Sequence, residues 1–236
     1  MLKFSNIAKF ATTGLITILA GTKVIAAERI SDFSLIDADG RFFQLSRHTN
    51  QEAIVLLAYD ADSRDSRRAV SDLRVVAEEF SDQAVEVVVI DVTASTEKAA
   101  MREEAEDEDI AFRILMDDTQ IVSRELGITR TAEAVIIDPE AQEVVYRGAV
   151  SSRTAIGSRS ERNNSSYVSE ALTAILAGQE IAANTLASRG DEIELAEQGQ
   201  LSYANDIAPI LEQRCVACHQ EGGIAPFAMN SHQMVK

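Results

Sequence analysis

The sequence predicts an α/β fold, a mixed sheet with helices on both faces, followed by a short all-α segment. Two apolar runs, AIVLLAY at residues 53–59 and VEVVVIDV at residues 85–92, are typical of strands buried on both faces. Stretches with helical periodicity follow both runs, and a hairpin pattern comes later. A βαβ core followed by a hairpin and a helix implies a mixed sheet between helical layers.

The elements of the first half alternate between strand and helix. Residues 33–45 read as two short strands around an Asp-Gly turn. Residues 65–80 carry apolar side chains at helical spacing and predict a helix after the first buried strand. The second buried strand precedes a predicted helix at residues 95–107, with Ser95 as its cap.

The second half completes this unit. Residues 113–117 predict a short strand, and a helix through Leu126 is expected to stop at Gly127. Residues 134–148 predict a hairpin that turns at residues 139–142. A last helix is expected at residues 165–177.

Four regions are predicted along the chain. An amino-terminal leader covers residues 1–27, an α/β domain residues 28–183, a charged linker residues 184–202 and a short segment with both cysteines residues 203–236. In the last segment, apolar residues share a helical face that leads to Cys215. Pro209 falls in the first turn of that helix, where its missing N–H costs nothing.

The amino-terminal residues have the features of a secretory signal. A basic start precedes an apolar run at residues 10–20, and the small residues Ala26 and Ala27 predict cleavage beside Glu28. The run is too short to span a bilayer, and no later stretch approaches the roughly 20 apolar residues that a span requires. We therefore expect a periplasmic or otherwise exported protein without a stable membrane span, a retained anchor being the alternative.

The charge of the chain is strongly negative. The formal net charge is −16, and loss of three lysines with residues 1–27 would make it −19. Such a surface argues against nucleic acid, whose phosphates need lysine and arginine clusters. The densest acidic run, residues 103–109, is interpreted as a solvated helix face. A basic redox partner protein is compatible with this charge.

The only two cysteines stand in the sequence CVACH, with His219 directly behind Cys218. A redox dithiol requires thiols at a helix amino terminus, whereas here the predicted helix precedes Cys215. A structural zinc site requires four ligands, and the nearby candidates are Cys215, Cys218, His219 and His232. Spacing i, i+3 and i+4 places two thiols and an imidazole on one side of a helical turn, which favours covalent haem attachment.

Residues 203–229, YANDIAPILEQRCVACHQEGGIAPFAM, resemble the start of a cytochrome c-like domain. The resemblance implies haem c bound through Cys215 and Cys218, with His219 as the proximal iron ligand. Family members usually supply a distal methionine farther downstream. Met229 and Met234 are expected to be packing or tail residues, and His232 an exposed polar residue, so the chain is expected to be the front of a longer protein or an unfinished domain.

Residues 29–190 resemble the redoxin branch of the thioredoxin-like superfamily, including peroxiredoxin-like proteins. The resemblance is carried by FSLIDADGR, AIVLLAYDADSRDSRRAVSDLRVVAEEF, LGITRTAEAVIID, VVYRGAV and YVSEALTAILAG. It implies a thioredoxin-like mixed sheet. This sequence departs from the family pattern at Ser63, where the catalytic cysteine stands, at Ala132, where a cis-proline stands, and at Asp191, where relatives often have cysteine.

Those departures predict a redoxin domain without peroxidase or disulfide-exchange chemistry. A serine hydroxyl cannot replace a thiolate without a strong base, and a non-proline cis bond costs about 2.5–4 kcal/mol. The leading hypothesis is an exported haem c electron-transfer protein, on its own or as a module of a larger oxidoreductase. The alternatives are a non-catalytic scaffold module and a thiol peroxidase or reductase using Cys215 and Cys218.

Overall fold

The computed structural model describes residues 28–158, 165–181, 186–195 and 203–235. The predicted signal peptide lies outside the described residues. Within them, an eight-stranded mixed sheet has the order β1-β8-β7-β4-β5-β6-β2-β3. The strands are β1 (Glu28–Arg29), β2 (Ser34–Asp37), β3 (Phe42–Gln44), β4 (Ala53–Tyr59), β5 (Val85–Asp91), β6 (Arg113–Met116), β7 (Glu133–Asp138) and β8 (Glu143–Ala149).

The two apolar runs form neighbouring parallel strands in the middle of the sheet. β4 pairs with β5 from Ala53↔Val85 to Tyr59↔Asp91, and β6 continues the parallel set on the other side of β5. Every residue of β4 is buried, because successive side chains enter different cores. Val55 and Leu57 pack into one hydrophobic cluster, while Ile54 and Leu56 pack into the other. The prediction of a strand buried on both faces is confirmed.

Helices cover both faces, as predicted. They are α1 (Arg64–Glu79), α2 (Lys98–Asp107), α3 (Ile121–Glu125) and α4 (Tyr167–Leu176). Helices α1 and α4 contribute Leu73 and Leu172 to one cluster, and α3 contributes Val122 to the other. Ser166 caps α4 by accepting a hydrogen bond from the Ser169 N–H at 3.2 Å. α3 ends before Gly127, whose φ is +63°.

The amino terminus of α2 differs from the prediction. Ser95 was expected to cap this helix, but the residue before Lys98 is Glu97, and Ser95 has a φ of +63°. A capping residue normally has an extended backbone, so a left-handed Ser95 cannot present its hydroxyl to the first turn. The helix therefore starts three residues later than expected, without a side-chain cap.

Part of the predicted linker packs on the α/β domain. Residues 186–193, termed here the covering segment, form bridges at Ala155↔Ser188 and Arg130↔Glu192. The Ala149 N–H donates to the Leu186 carbonyl at 2.8 Å, and the Ile193 N–H donates to the Thr129 carbonyl at 3.0 Å. These backbone contacts attach the segment to the domain over its whole length.

Residues 203–235 combine short helices with a long turn region, residues 215–231, and contribute no residue to either hydrophobic cluster of the described chain. One π-helical turn, Tyr203–Ile207, leads into α5 (Ala208–Arg214), and α6 (His232–Val235) follows. Pro209 lies in the first turn of α5, as predicted. Cys215 follows as the carboxyl-terminal cap.

Across the described residues, no helix is long and apolar enough to cross a membrane.

Candidate functional site

The first candidate site lies where β4 ends and α1 begins. Ser63 immediately precedes α1 and is 2% exposed. Its N–H donates to the Asp60 carbonyl at 3.1 Å, which closes the turn between strand and helix. A serine at this position usually caps the helix with its hydroxyl. Here the side chain makes no capping bond, because it is directed elsewhere.

The Ser63 hydroxyl is paired with Thr131. Their oxygens, Ser63 Oγ and Thr131 Oγ1, are 2.9 Å apart and buried. Thr131 Oγ1 also accepts a hydrogen bond from the Asp191 N–H at 2.9 Å. The loop before β7 thus joins Ser63 to the covering segment. The three positions predicted to depart from the redoxin pattern, Ser63, Ala132 and Asp191, lie at or beside Thr131.

Ala132 holds this loop against the end of β4. Its N–H donates to the Ala58 carbonyl at 2.8 Å, and its side chain is fully buried. Among the described residues all peptide bonds are trans, as expected at Thr131–Ala132 from the cost of a non-proline cis bond. Ala132 instead has a φ of +57°, a left-handed conformation that costs an L-residue roughly 1–2 kcal/mol. Surrounding contacts must offset that strain.

The covering segment supplies several of those contacts. The Thr131 N–H donates to the Asp191 carbonyl at 2.9 Å, and the Ser188 hydroxyl donates to the Thr131 carbonyl at 2.8 Å. The Gly190 N–H in turn donates to Ser188 Oγ at 3.1 Å. Both backbone groups and the hydroxyl of Thr131 are therefore satisfied within the protein. The segment closes the site from outside.

Chemically, this site has no activated nucleophile. The Ser63 hydroxyl meets another hydroxyl, which cannot act as a general base. His48 contacts Glu86 near the start of β5, with Nδ1 and Oε2 2.5 Å apart, and stacks on Phe43. Glu86 pairs with Ile54 near the amino end of β4, whereas Ser63 follows its carboxyl end. His48 is thus at the wrong end of the strands to deprotonate Ser63.

Asp91, a buried carboxylate beside this site, was not predicted as a site residue from the sequence. Asp91 ends β5 and is fully buried, and its Oδ2 has no hydrogen-bond partner among the described residues. Burial raises the pKa of Asp91 to about 6, the Asp60 charge adds to the shift, and hydrogen bonds from Thr93 and Thr96 oppose it. An aspartate closing the apolar run VVVID was the available signal.

The aspartates of the β4–α1 turn form no cation site. Asp60 Oδ1 accepts the Asp62 N–H at 2.9 Å, and Asp65 pairs with Arg68 at 3.0 Å. Within the described ranges, no group of three acidic, histidine or cysteine side chains is placed to hold a metal ion.

The second candidate site is the turn after α5. The Cys218 and His219 N–H groups both donate to the Cys215 carbonyl, at 3.1 and 2.9 Å. These bonds fold the CVACH stretch into one helical turn, as its spacing predicts. Neither cysteine is in a disulfide; Cys215 is partly exposed and Cys218 is exposed. The helix precedes them, so its dipole does not favour thiolates here.

His219 is held by the residues that follow the turn. Its Nδ1 lies 3.0 Å from the Phe227 carbonyl oxygen, and the two rings are 4.7 Å apart. A carbonyl oxygen can only accept, so Nδ1 donates this hydrogen bond, and in the neutral imidazole Nε2 then carries the lone pair. The Met229 N–H donates to the His219 carbonyl at 2.7 Å. His232 packs against Tyr203 instead, and the Met234 side chain lies outside the described residues.

These features define a thioredoxin-like redoxin domain, with Ser63 buried where β4 gives way to α1. The AhpC/TSA family matches residues 26–149, and the chain belongs to that family. No curated protein matches the chain. It is similar in structure to a hypothetical protein from Sinorhizobium meliloti 1021, with 20% identity, a TM-score of 0.62, and coverage of 75% of this chain and 97% of that one.

An uncharacterized conserved protein from Geobacillus kaustophilus is similar as well. Its identity is 21%, its TM-score is 0.62, and the match covers 73% of this chain and 93% of that one. At these identities the likeness shows the fold alone. The thioredoxin-like fold expected from the sequence is confirmed, and the cytochrome c-like identity of residues 203–236 stays a prediction.

Gly190→Ala should release the covering segment. A β-carbon on Gly190 would lie 1.9 Å from the Thr131 carbonyl oxygen, and backbone atoms cannot move aside cheaply. We expect faster amide hydrogen exchange at Thr131 and Asp191, together with a loss of roughly 1–3 kcal/mol in stability. Gly40→Ala is the control, because Gly40 has a positive φ but no neighbour within 4 Å. Unchanged exchange at Thr131 would contradict this account.

Asp91→Asn should stabilise the protein at pH 8. The folded-state pKa lies above the ordinary value of 3.8, so ionised Asp91 costs folding free energy above about pH 6, and the cost disappears as pH falls towards 4. Two pKa units correspond to at most about 3 kcal/mol. Urea unfolding at pH 4 and pH 8 tests this, with exposed Asp118→Asn as control. An equal effect of Asp91→Asn at both pH values argues against the assignment.

Proposed function

We propose that this protein is an exported electron-transfer protein that carries haem c on Cys215, Cys218 and His219. The redoxin domain acts as a scaffold without thiol chemistry of its own. The observation that carries the proposal is the state of His219, whose Nδ1 is engaged by the Phe227 carbonyl while Nε2 remains available. Metal-binding histidines are commonly oriented in this way by a backbone acceptor on the other ring nitrogen.

The positions of the two thiols fit the same group. Cys215 and Cys218 lie on one turn with His219, and neither sulfur is buried or oxidised. Two thioethers to a porphyrin edge and one imidazole beneath its iron need this arrangement. The haem would supply one-electron transfer at its iron. The role of the chain would be to hold it, orient His219 and limit access of water.

The surface of this segment also suits a large apolar group. Ile210, Ile224 and Phe227 are 57%, 92% and 54% exposed. All three lie on the same segment as Cys215 and Cys218, where an attached haem could cover them. Burying them would contribute roughly 1.5–3 kcal/mol for each fully covered side chain.

The redoxin domain offers no competing redox centre. Both cysteines of residues 1–236 lie outside it, and the Ser63 hydroxyl is occupied by Thr131. Its acidic surface suits a basic redox partner, since complementary charge steers association.

A second candidate is a thiol peroxidase or disulfide reductase that uses Cys215 and Cys218. Membership of the AhpC/TSA family and two free cysteines three residues apart favour it. The position of the cysteines after α5 weighs against it, because a thiolate gains no stabilisation at a helix carboxyl terminus.

Haem attachment is tested on protein produced with a cytochrome c maturation system. The wild type should retain haem on a denaturing gel and give a c-type visible spectrum. Cys215→Ser and Cys218→Ser should each weaken or abolish covalent retention, while His219→Ala should alter the spectrum. His232→Ala is the matched control and should change neither readout, because His232 contacts Tyr203.

Colourless wild-type protein contradicts the haem proposal. If the same protein consumes peroxide or reduces disulfides, and Cys215→Ser removes that activity, the second candidate replaces it. Absence of both properties leaves the scaffold hypothesis.

Export is tested separately by sequencing the mature amino terminus. The basic start, the apolar run and the small residues before Glu28 predict cleavage beside Ala27. Protein recovered from the periplasmic fraction should therefore begin at or near Glu28. Recovery of the uncleaved chain in the cytoplasmic fraction would contradict export.

A further inference from the structure

The covering segment, residues 186–193, lies on the α/β domain in the manner of an added strand. Antiparallel bridges join its Ser188 to Ala155 and its Glu192 to Arg130. Main-chain hydrogen bonds to the domain run from one end of the segment to the other. A strand held in this way is bound chiefly through its backbone, as in the addition of an extended chain to a sheet edge.

The surface under the segment, termed here the Thr131 groove, is formed by residues 129–131, 149 and 154–156. In it the Ile156 N–H donates to the Ala187 carbonyl at 2.9 Å, and the Thr154 carbonyl accepts from the Arg189 N–H at 2.7 Å. Departure of the segment would leave these donors and acceptors unpaired. A row of unpaired backbone groups is a template for pairing with another strand.

The Thr131 groove accepts few strands. A β-carbon on Gly190 would lie 1.9 Å from the Thr131 carbonyl oxygen, so glycine is required where the segment crosses this residue. Arg130 Nη1 donates to the Gly190 carbonyl at 2.8 Å, and its Nη2 pairs with the Glu192 carboxylate, which favours an acid two positions later. Residues 186–193 meet both requirements, and so does the same segment of any other copy of this chain.

Little apolar contact holds the segment in its own chain. Leu186 is 37% exposed, and Ile193 is only half-buried. Residues 177–185, which connect α4 to the segment, hold no helix or strand among those that the structure describes, and residues 203–235 contribute nothing to either hydrophobic cluster. The segment can therefore leave as a local unit while the core stays folded.

We propose that residues 186–193 exchange between two copies of this chain, so that the segment of each copy fills the Thr131 groove of the other. Exchange remakes the same contacts between chains that it breaks within them, which makes it a low-cost route to a dimer. The net charge of −16 opposes association, so the dimer increases with ionic strength. The exchange involves neither haem nor thiols and stands independently of the proposed function.

Reversal of the charges in the Arg130–Glu192 pair tests the exchange on the purified protein. Arg130→Glu and Glu192→Arg each place like charges together when the segment closes on its own chain. In an equimolar mixture, exchange restores an opposite-charge pair in both grooves. We expect a 1:1 dimer by light scattering, with an association constant about 10-fold above that of either variant alone, because exposed pairs contribute modestly. The double variant restores the pair within one chain and should be monomeric at the same concentration.

Two further mixtures serve as controls. Arg68→Glu with Asp65→Arg reverses a pair that lies within α1, so exchange restores nothing, and this mixture should stay monomeric. Gly190→Ala, added to both chains of the Arg130–Glu192 mixture, should abolish the dimer because its segment fits neither groove. In the dimer itself, isotope-filtered NOEs should connect Thr131 of a labelled chain with Gly190 of an unlabelled one.

The exchange proposal is overturned if the mixture of Arg130→Glu and Glu192→Arg stays monomeric, if Gly190→Ala leaves its dimer intact, or if no NOE connects the two chains at Thr131. A mixture that stays monomeric while a synthetic peptide of residues 186–193 binds to it would assign the Thr131 groove to a different partner chain, and would equally refute exchange between copies.

Discussion

The redoxin site depends on Thr131, whose hydroxyl and backbone groups join three separate stretches of chain. Ser63 reaches it from the end of β4, and residues 186–193 reach it from the opposite side. A buried hydroxyl or peptide group without a partner costs about 1–3 kcal/mol, so the loss of any one of these bonds would destabilise the site by a similar amount. They also keep Ala132 in a left-handed conformation that it would otherwise avoid. The hydrogen bonds of Thr131 therefore both close the site and hold the strained conformation of its loop.

The sequence predicts the sheet and its main helices because burial leaves a pattern in side-chain type. The run of residues 53–59 is apolar throughout because both of its faces enter cores. The sequence also indicates that Ser63, Ala132 and Asp191 are related positions, although only through resemblance to a family. Only the structure reveals that these three residues lie together at Thr131.

Other features of the structure cannot be predicted from the pattern of side-chain types along the chain. The covering segment is attached mainly by backbone hydrogen bonds, which any sequence can make, so its polar residues looked like a linker. Ser95 fits a cap by composition, and only its backbone angle excludes it. The pairing of β2 with β6 brings Arg41 and Arg113, 72 positions apart in sequence, onto the same carboxylate of Asp37. Spacing along the chain cannot reveal such a neighbour.

The confinement of cysteine to Cys215 and Cys218 within residues 1–236 has a consequence for maturation of the proposed haem site. In an oxidising compartment a third thiol could be trapped in a mixed pairing with Cys215 or Cys218. Before haem is attached, residues 1–236 can form a single internal disulfide, Cys215 with Cys218. One two-electron reduction then returns both sulfurs to the thiol form that thioether attachment requires.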